Sequence, residues 1–328
     1  MSPRSMHVLA PISSPDDVVP LTEAGADEFY CGLLPTEWLE RYGLVGSINR
    51  RYEMAAQMTD SSELARAIKL AHDRSTSLFV TLNAHYYVPS QYPFLARVVD
   101  DIVSAGADGL LVADPAFMLW VREQGHDIPL HLSGGGAVLN PRAASFMWRA
   151  FGLSRIVLPR HLTIAEITEL VTSLPDITFE VFIINEPCIN VDGLCTFQHG
   201  LTDITGDDLN CCDIPWNLSL GSDDADPVAL RTIRSHVASG RRGSGACGAC
   251  ALHDLQRAGV GAVKVVGRGL PIKDKTRDVA FIAGLVRFLE EEGPDRDAFI
   301  TEAKRRHARE YRTLCKPRLC YYPEPAPR

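Results

Sequence analysis

Nine cysteines occur in this sequence, and six of them fall between residues 188 and 250. Cys188 and Cys195 come first, then the adjacent Cys211-Cys212, then a Cys-x-x-Cys at Cys247 and Cys250. Thiolates gathered in one interval bind either Zn2+ or an iron–sulfur cluster. Zinc sites usually pair two tight knuckles. Here one tight pair is accompanied by widely spaced single thiols, which suits a cluster better. Cys31 sits inside an apolar run and reads as an ordinary buried thiol. Cys315 and Cys320 form a Cys-x4-Cys near the C-terminus and are expected outside the ligand set. An odd cysteine count without a secretory leader favours metal or catalytic roles over a disulfide framework.

A second set of reactive residues ends or interrupts the apolar runs. Asn83 precedes His85, and Asp114 closes another run. His131 and Ser133 lead into Gly134-Gly135-Gly136, and Arg160 is followed by His161. Glu180 and Lys264 lie inside runs, and Arg268 ends the last one. Arg160 and Arg268 are read as anion binders, because a guanidinium fork suits a carboxylate. Asn83 and Asp114 are read as orienting a substrate. Glu180 and Lys264 fit a buried ion pair as well as they fit function. The histidines read as hydrogen-bonded loop residues. Proteolysis finds little support, since neither a nucleophile elbow nor His-Glu-x-x-His is present. The Gly-x-Gly-x-x-Gly match from Gly243 to Gly248 precedes no strand-to-helix turn and contains a cysteine, so it is discounted.

Eight apolar runs must position these groups: His7–Ile12, Glu28–Leu33, Leu78–Asn83, Gly109–Asp114, Pro129–Gly134, Arg155–Arg160, Thr178–Ile184 and Ala262–Arg268. Near-continuous apolar runs of this length suit parallel strands buried on both faces. Helical segments separate them, with starts at Ser14-Pro15-Asp16, Asp60-Ser61-Ser62-Glu63 and Thr163-Ile164-Ala165-Glu166. Several end in a glycine just before the next run, such as Gly152 and Gly259. Eight such units in about 260 residues imply an α/β chain folded as a (β/α)8 TIM-type barrel, with an open doubly wound sheet as the alternative. The barrel is expected over 1–270, with a Cys-rich insertion at about 186–250 between strands seven and eight. A helical extension and tail follow over 271–328, with helices at about 275–292 and 296–312. Reactive groups should gather at the C-terminal strand ends.

The net charge of -8 and pI of about 5.7 make nucleic acid an unlikely partner on electrostatic grounds. The short basic clusters Arg241-Arg242 and Lys304-Arg305-Arg306 read as solvated faces. No stretch approaches the roughly 18 apolar residues of a membrane span, and no signal peptide is visible. A cytoplasmic protein is expected.

At these residues the sequence resembles the collagenase-like peptidase family, peptidase family U thirty-two, over roughly residues 7–270. The resemblance is carried by Gly25-Ala26-Asp27-Glu28-Phe29-Tyr30-Cys31-Gly32, Val80-Thr81-Leu82-Asn83, Asp114-Pro115, Leu158-Pro159-Arg160-His161-Leu162, Glu180-Val181-Phe182 and Val263-Lys264-Val265-Val266-Gly267-Arg268. Several members of that family resemble oxygen-independent hydroxylation proteins, acting in anaerobic ubiquinone synthesis or on tRNA or rRNA. They bind a [4Fe–4S] cluster through four cysteines, with prephenate implicated as hydroxyl donor. The resemblance implies Cys188, Cys195, Cys212 and Cys250 as ligands, with Cys211 and Cys247 as alternatives. It implies an iron–sulfur hydroxylase or oxidoreductase acting on a small aromatic or carboxylate-bearing substrate. A peptidase, or a non-catalytic iron–sulfur subunit paired with a related protein in a hetero-oligomer, is the alternative. The chain departs from the family's Asn-x-Gly-x-Cys stretch, offering Asn210-Cys211-Cys212.

Overall fold

The computed structural model describes residues 6–43, 48–51, 53–188, 190–195, 246–315, 320–322 and 324–325. The expected runs form eight strands: β1 (His7–Pro11), β2 (Glu28–Gly32), β3 (Ser77–Leu82), β4 (Gly109–Val112), β5 (Leu130–Leu132), β6 (Leu153–Val157), β7 (Thr178–Ile184) and β8 (Ala262–Val265). Each strand pairs in parallel with the next in chain order. β8 pairs with β1 and closes the barrel. Closure leaves no free edge and puts every strand between an inner and an outer layer. That is why the strands read as apolar runs rather than as alternating patterns.

The helices among the described residues are α1 (Val18–Glu23), α2 (Thr36–Tyr42), α3 (Ser61–His72), α4 (Tyr92–Ser104), α5 (Pro115–Glu123), α6 (Pro141–Phe151), α7 (Ile164–Ser173), α8 (Leu252–Ala258), α9 (Ile272–Glu292) and α10 (Arg296–Tyr311). Their starts follow the sequence signals. Asp60 accepts from Ser62 N at 2.6 Å to cap α3. Thr163 and Glu166 form a reciprocal capping box at α7. Gly152 and Gly259 take left-handed φ values of 61° and 90° to end α6 and α8.

The two C-terminal helices have different jobs. α9 follows β8 and packs against β1 and α1, so it completes the ring of barrel helices. Its buried Lys275 binds Asp17 and Ser13 in the loop after β1, at 2.9 and 2.8 Å. Only α10 is an addition, lying on α8 and α9. The boundary expected at residue 270 therefore does not separate two bodies. Most of the core lies between strands and helices, around Trp38, Phe117 and Phe299. A small inner plug of Leu9, Tyr30, Phe79, Leu111, Val157, Phe182 and Val266 fills the barrel. Among the described residues, no helix is long and apolar enough to cross a membrane.

Candidate functional site

The barrel interior carries charge on four strands. Arg155 of β6 donates to Glu28 of β2 at 2.6 and 2.8 Å, and to Glu180 of β7 at 3.1 Å. Lys264 of β8 donates to the other Glu180 oxygen at 3.0 Å and lies 4.0 Å from the centroid of the Tyr30 ring. His7 meets Glu28 at 3.0 Å. Glu180 is fully buried, and two carboxylates balance two cations. Burial alone would raise the Glu28 pKa, but the hydrogen bonds from Arg155 and His7 outweigh it and bring it down to about 2. Lys264, expected to bind substrate, is thus a member of a neutral buried network. Its charge is already met by Glu180. Arg155 was not singled out by its sequence position, although an arginine inside an apolar run is the signal that could have found it.

The C-terminal mouth is built differently. Arg268, just past β8, is buried and donates to Thr81 Oγ1 at 2.8 Å, Asn49 O at 3.2 Å and Asn49 Oδ1 at 3.4 Å. All three are neutral oxygens. Burial, with Arg51 nearby, pushes the Arg268 pKa down to about 10. The guanidinium lies where a Cβ on Gly32 would stand, so glycine at the end of β2 makes room for it. Arg160, after β6, is paired instead. Its Nη1 donates to Asp192 Oδ1 at 2.6 Å, its backbone N donates to Asp192 Oδ2 at 3.0 Å, and its guanidinium covers Phe182 at 3.8 Å. Tyr321 joins the pair by accepting from Arg160. Arg160, expected to bind an anion, thus has its charge met by Asp192, while its buried Nε has no partner among the described residues.

Asn83 donates to Ser133 Oγ at 3.1 Å, and its Oδ1 is buried with no partner among the described residues. His85 Nε2 is likewise buried and unpartnered. Burial and Arg50 lower the His85 pKa to about 4, and its other nitrogen bonds the Gly135 carbonyl. Asp114, expected to orient a substrate, has each oxygen engaged by a backbone amide: it accepts from Ala116 N at 2.9 Å and Tyr87 N at 3.0 Å, so it caps α5 and anchors the loop after β3.

The thiols divide. β7 ends in Asn185 and Glu186, whose φ values of 68° and 45° are unusual for non-glycine residues. The Asn185 side chain is fixed by Asp278 at 2.7 Å, and Glu186 pairs with Arg51. This turn starts the loop holding Cys188 and Cys195, which lie within each other's electrostatic reach. Asp192 and Gly193 pin that loop. Asp192 holds Arg160, and Gly193 packs so tightly on Gly135 and Ala137 that no Cβ would fit. Cys188 feels Asp192 and Arg160, and burial raises its pKa. Cys212 and its alternative Cys211 lie outside the described residues. Cys250 lies within electrostatic reach of Cys315. Cys315 and Cys320, expected outside the ligand set, lie beside Cys247 and Cys250. The expected four-cysteine set is therefore not assembled by the described residues. Among them, no three His, Cys, Asp or Glu side chains are arranged to hold a metal ion. Cys31 is fully buried in the core, as expected.

Asp192 and Tyr321 are site residues with no sequence signal, since only the fold brings them to Arg160.

Residues 13–315 match the family model described as Peptidase family U32. Curated relatives include tRNA hydroxylation protein P of Escherichia coli (strain K12), 28% identical over 49% of this chain and 36% of its own length. Another is tRNA hydroxylation protein P1 of Bacillus subtilis (strain 168), 27% identical over 69% of this chain and 50% of its own. The chain thus spans from about a third to half the length of these relatives. A solved U32 peptidase superposes with a TM-score of 0.42 at 18% identity, over 56% of this chain and 71% of that one.

Proposed function

We infer that this chain, which belongs to peptidase family U32, takes part in oxygen-independent hydroxylation and holds a small carboxylate-bearing molecule in its barrel mouth. The observation that carries the reading is Arg268, a buried guanidinium whose hydrogen bonds all go to neutral oxygens. A buried charge so poorly compensated is costly unless an anion completes it. Arg50 adds positive charge on the same side, where it acts on His85, while Arg51 beside Arg268 is paired with Glu53 and Glu186. Prephenate, the hydroxyl donor implied by the family resemblance, has the required carboxylate chemistry. The relatives named as tRNA hydroxylation proteins support hydroxylation as the reaction class.

A [4Fe–4S] cluster is part of the proposal. When bound, it would supply single-electron exchange beside the pocket. Cys188 and Cys195 fit two of its positions, and Cys212 would be the third. Cys250, the fourth expected ligand, lies near Cys315. The chain's own groups do the rest. Arg268 holds the carboxylate, and Phe182 and Tyr30 keep water from below it. Asn83 Oδ1 is an acceptor for a substrate hydroxyl. His85 stays neutral near pH 7 and offers Nε2 as a proton acceptor. The peptidase reading is weaker, because Ser133 Oγ is bonded to Asn83 and not to a histidine. The relatives' names bring RNA back as a hydroxyl acceptor, against the expectation from net charge.

Calorimetry with a small aromatic dicarboxylate tests the pocket. Arg268→Ala should weaken binding at least about tenfold, the loss expected for a charge-assisted pair, with little change in melting temperature. Unchanged affinity with lower stability would make Arg268 structural. Iron and sulfide content of anaerobically purified protein tests the cluster. Binding of unmodified tRNA, compared with a bulk RNA control, tests the RNA reading.

A further inference from the structure

Among the described helices α10 alone is an addition to the barrel, and the charge of the α9–α10 pair is sorted along its length. One end is acidic: α9 finishes in Glu290, Glu291 and Glu292, and α10 starts at Asp295 and Asp297. The other end is basic. Residues 304–312 hold Lys304, Arg305, Arg306, Arg309 and Arg312 against one carboxylate, Glu310. Arg305, Arg309 and Arg312 are exposed and recur at i, i+4 and i+7, so they form one ridge about 10 Å long. Glu302 holds Nε and Nη2 of Arg305 at 2.6 Å each, which fixes that side chain and leaves its Nη1 outward. Arg309 and Arg312 make no ion pair among the described residues. The dipole of α10 favours cations within its last turn. It does not call for Lys304 or for the exposed Arg305 farther back.

The basic end is the one at the barrel mouth. Tyr311 Oη donates to Asp278 Oδ1 at 2.8 Å, and Asp278 Oδ2 accepts at 2.7 Å from Asn185, the residue after β7. Lys304 places a positive charge near Cys250 and Cys315. Beyond Arg312 the chain returns to the barrel, where Cys320 bridges Cys247 and Tyr321 meets Arg160.

We propose that Arg305, Arg309 and Arg312 form a docking ridge for the phosphodiester backbone of an RNA, laid beside the barrel mouth. The inference rests on RNA as the hydroxyl acceptor, the reading given above, and names the surface that would receive it. Guanidinium forks match phosphate oxygens. A chain of net charge -8 repels RNA over most of its surface, so a local basic ridge fixes the side from which RNA approaches. Contacts to the backbone position the strand and leave its sequence unread.

The test is an anisotropy titration of full-length, anaerobically purified protein with unmodified tRNA over a range of salt. Arg309→Gln/Arg312→Asn removes two charges, and asparagine suits the left-handed φ of 52° at position 312. Affinity should fall at least about tenfold and the log–log salt slope should become shallower by roughly 1.5–2. Melting temperature and dicarboxylate binding should stay at wild-type values. The matched control, Arg142→Gln/Arg149→Gln, takes two exposed charges from α6 and should leave the slope unchanged. A ridge variant that binds tRNA like wild type would overturn the ridge and leave the RNA reading standing. Equal loss in the α6 control would make binding a property of overall charge and would also overturn it, as would loss of binding to phosphatidylglycerol vesicles with tRNA binding intact. Wild type that binds neither tRNA nor bulk RNA would remove the RNA reading and the ridge together. Equal binding of tRNA and bulk RNA, both lost in the ridge variant, would keep the ridge and remove tRNA as the preferred acceptor.

Discussion

The barrel interior and the barrel mouth both hold buried charge, and they treat it in opposite ways. Inside, Arg155 and Lys264 meet Glu28 and Glu180 with every charge answered by another. At the mouth, Arg268 rests on neutral oxygens, while Asn83 Oδ1 and His85 Nε2 have no partner among the described residues. An ion-paired network holds strands in register, and although Arg155 Nε and His131 Nδ1 stay without a partner among the described residues, each cation there faces a carboxylate. An open one costs stability and keeps its hydrogen bonds in reserve. The contrast separates ion-paired from unpaired cations more sharply than burial does, since Lys264 and Arg268 are almost equally buried, at 6% and 5% exposed.

The largest expected effect is on the closed side. Arg155→Ala leaves Glu28 with His7 alone and Glu180 with Lys264 alone, and should destabilise the chain by about 3–5 kcal/mol, read as a shift in the denaturant midpoint. A loss below about 1 kcal/mol, the range of exposed pairs, would break the comparison. Acid should open the same network. Glu28 has its pKa lowered from 4.5 to about 2, so its contribution is present above pH 4.5 and is lost as pH falls toward 2. The whole contribution is on the order of 3 kcal/mol, and Glu28→Gln should flatten the stability profile across that window.

On the open side, Gly32→Ala forces a methyl onto the Arg268 guanidinium. It should cost about 1–3 kcal/mol and weaken carboxylate binding, which calorimetry and melting curves would report together. Binding at wild-type strength would show that Arg268 does not face the ligand. The smallest effect sharpens the boundary of the site. Asp114→Ala removes a helix cap and should cost about 1 kcal/mol without altering affinity. A larger loss in affinity than in stability would return Asp114 to the pocket.

The strands were legible because a parallel barrel strand is buried on both faces, which leaves an apolar run in the sequence. The helix starts at Asp60 and Thr163 were legible because capping is local. Arg268 and Asn83 stand out in the sequence because strand ends are where such barrels collect polar groups. What stayed hidden depends on distant partners. Nothing near Arg160 in sequence announces Asp192, and nothing near Asp114 announces Tyr87 N as the partner of its second oxygen. The cysteines show the same limit. Cys250 is nearer in sequence to Cys195 than to Cys315, yet the return of the chain after α10 makes Cys315 its neighbour.

Tyr321 reaches back 136 positions to hydrogen-bond Asn185, and Tyr322 reaches 140 positions to Phe182. Contacts of such long range form late, because the intervening chain must first be ordered. During synthesis the eight strands emerge and can associate before these tyrosines leave the ribosome. The barrel can therefore exist for a time with Arg160 uncovered on one side. In that interval the loop after β7 is at its most open, before Tyr321 and Tyr322 are laid against Asn185 and Phe182.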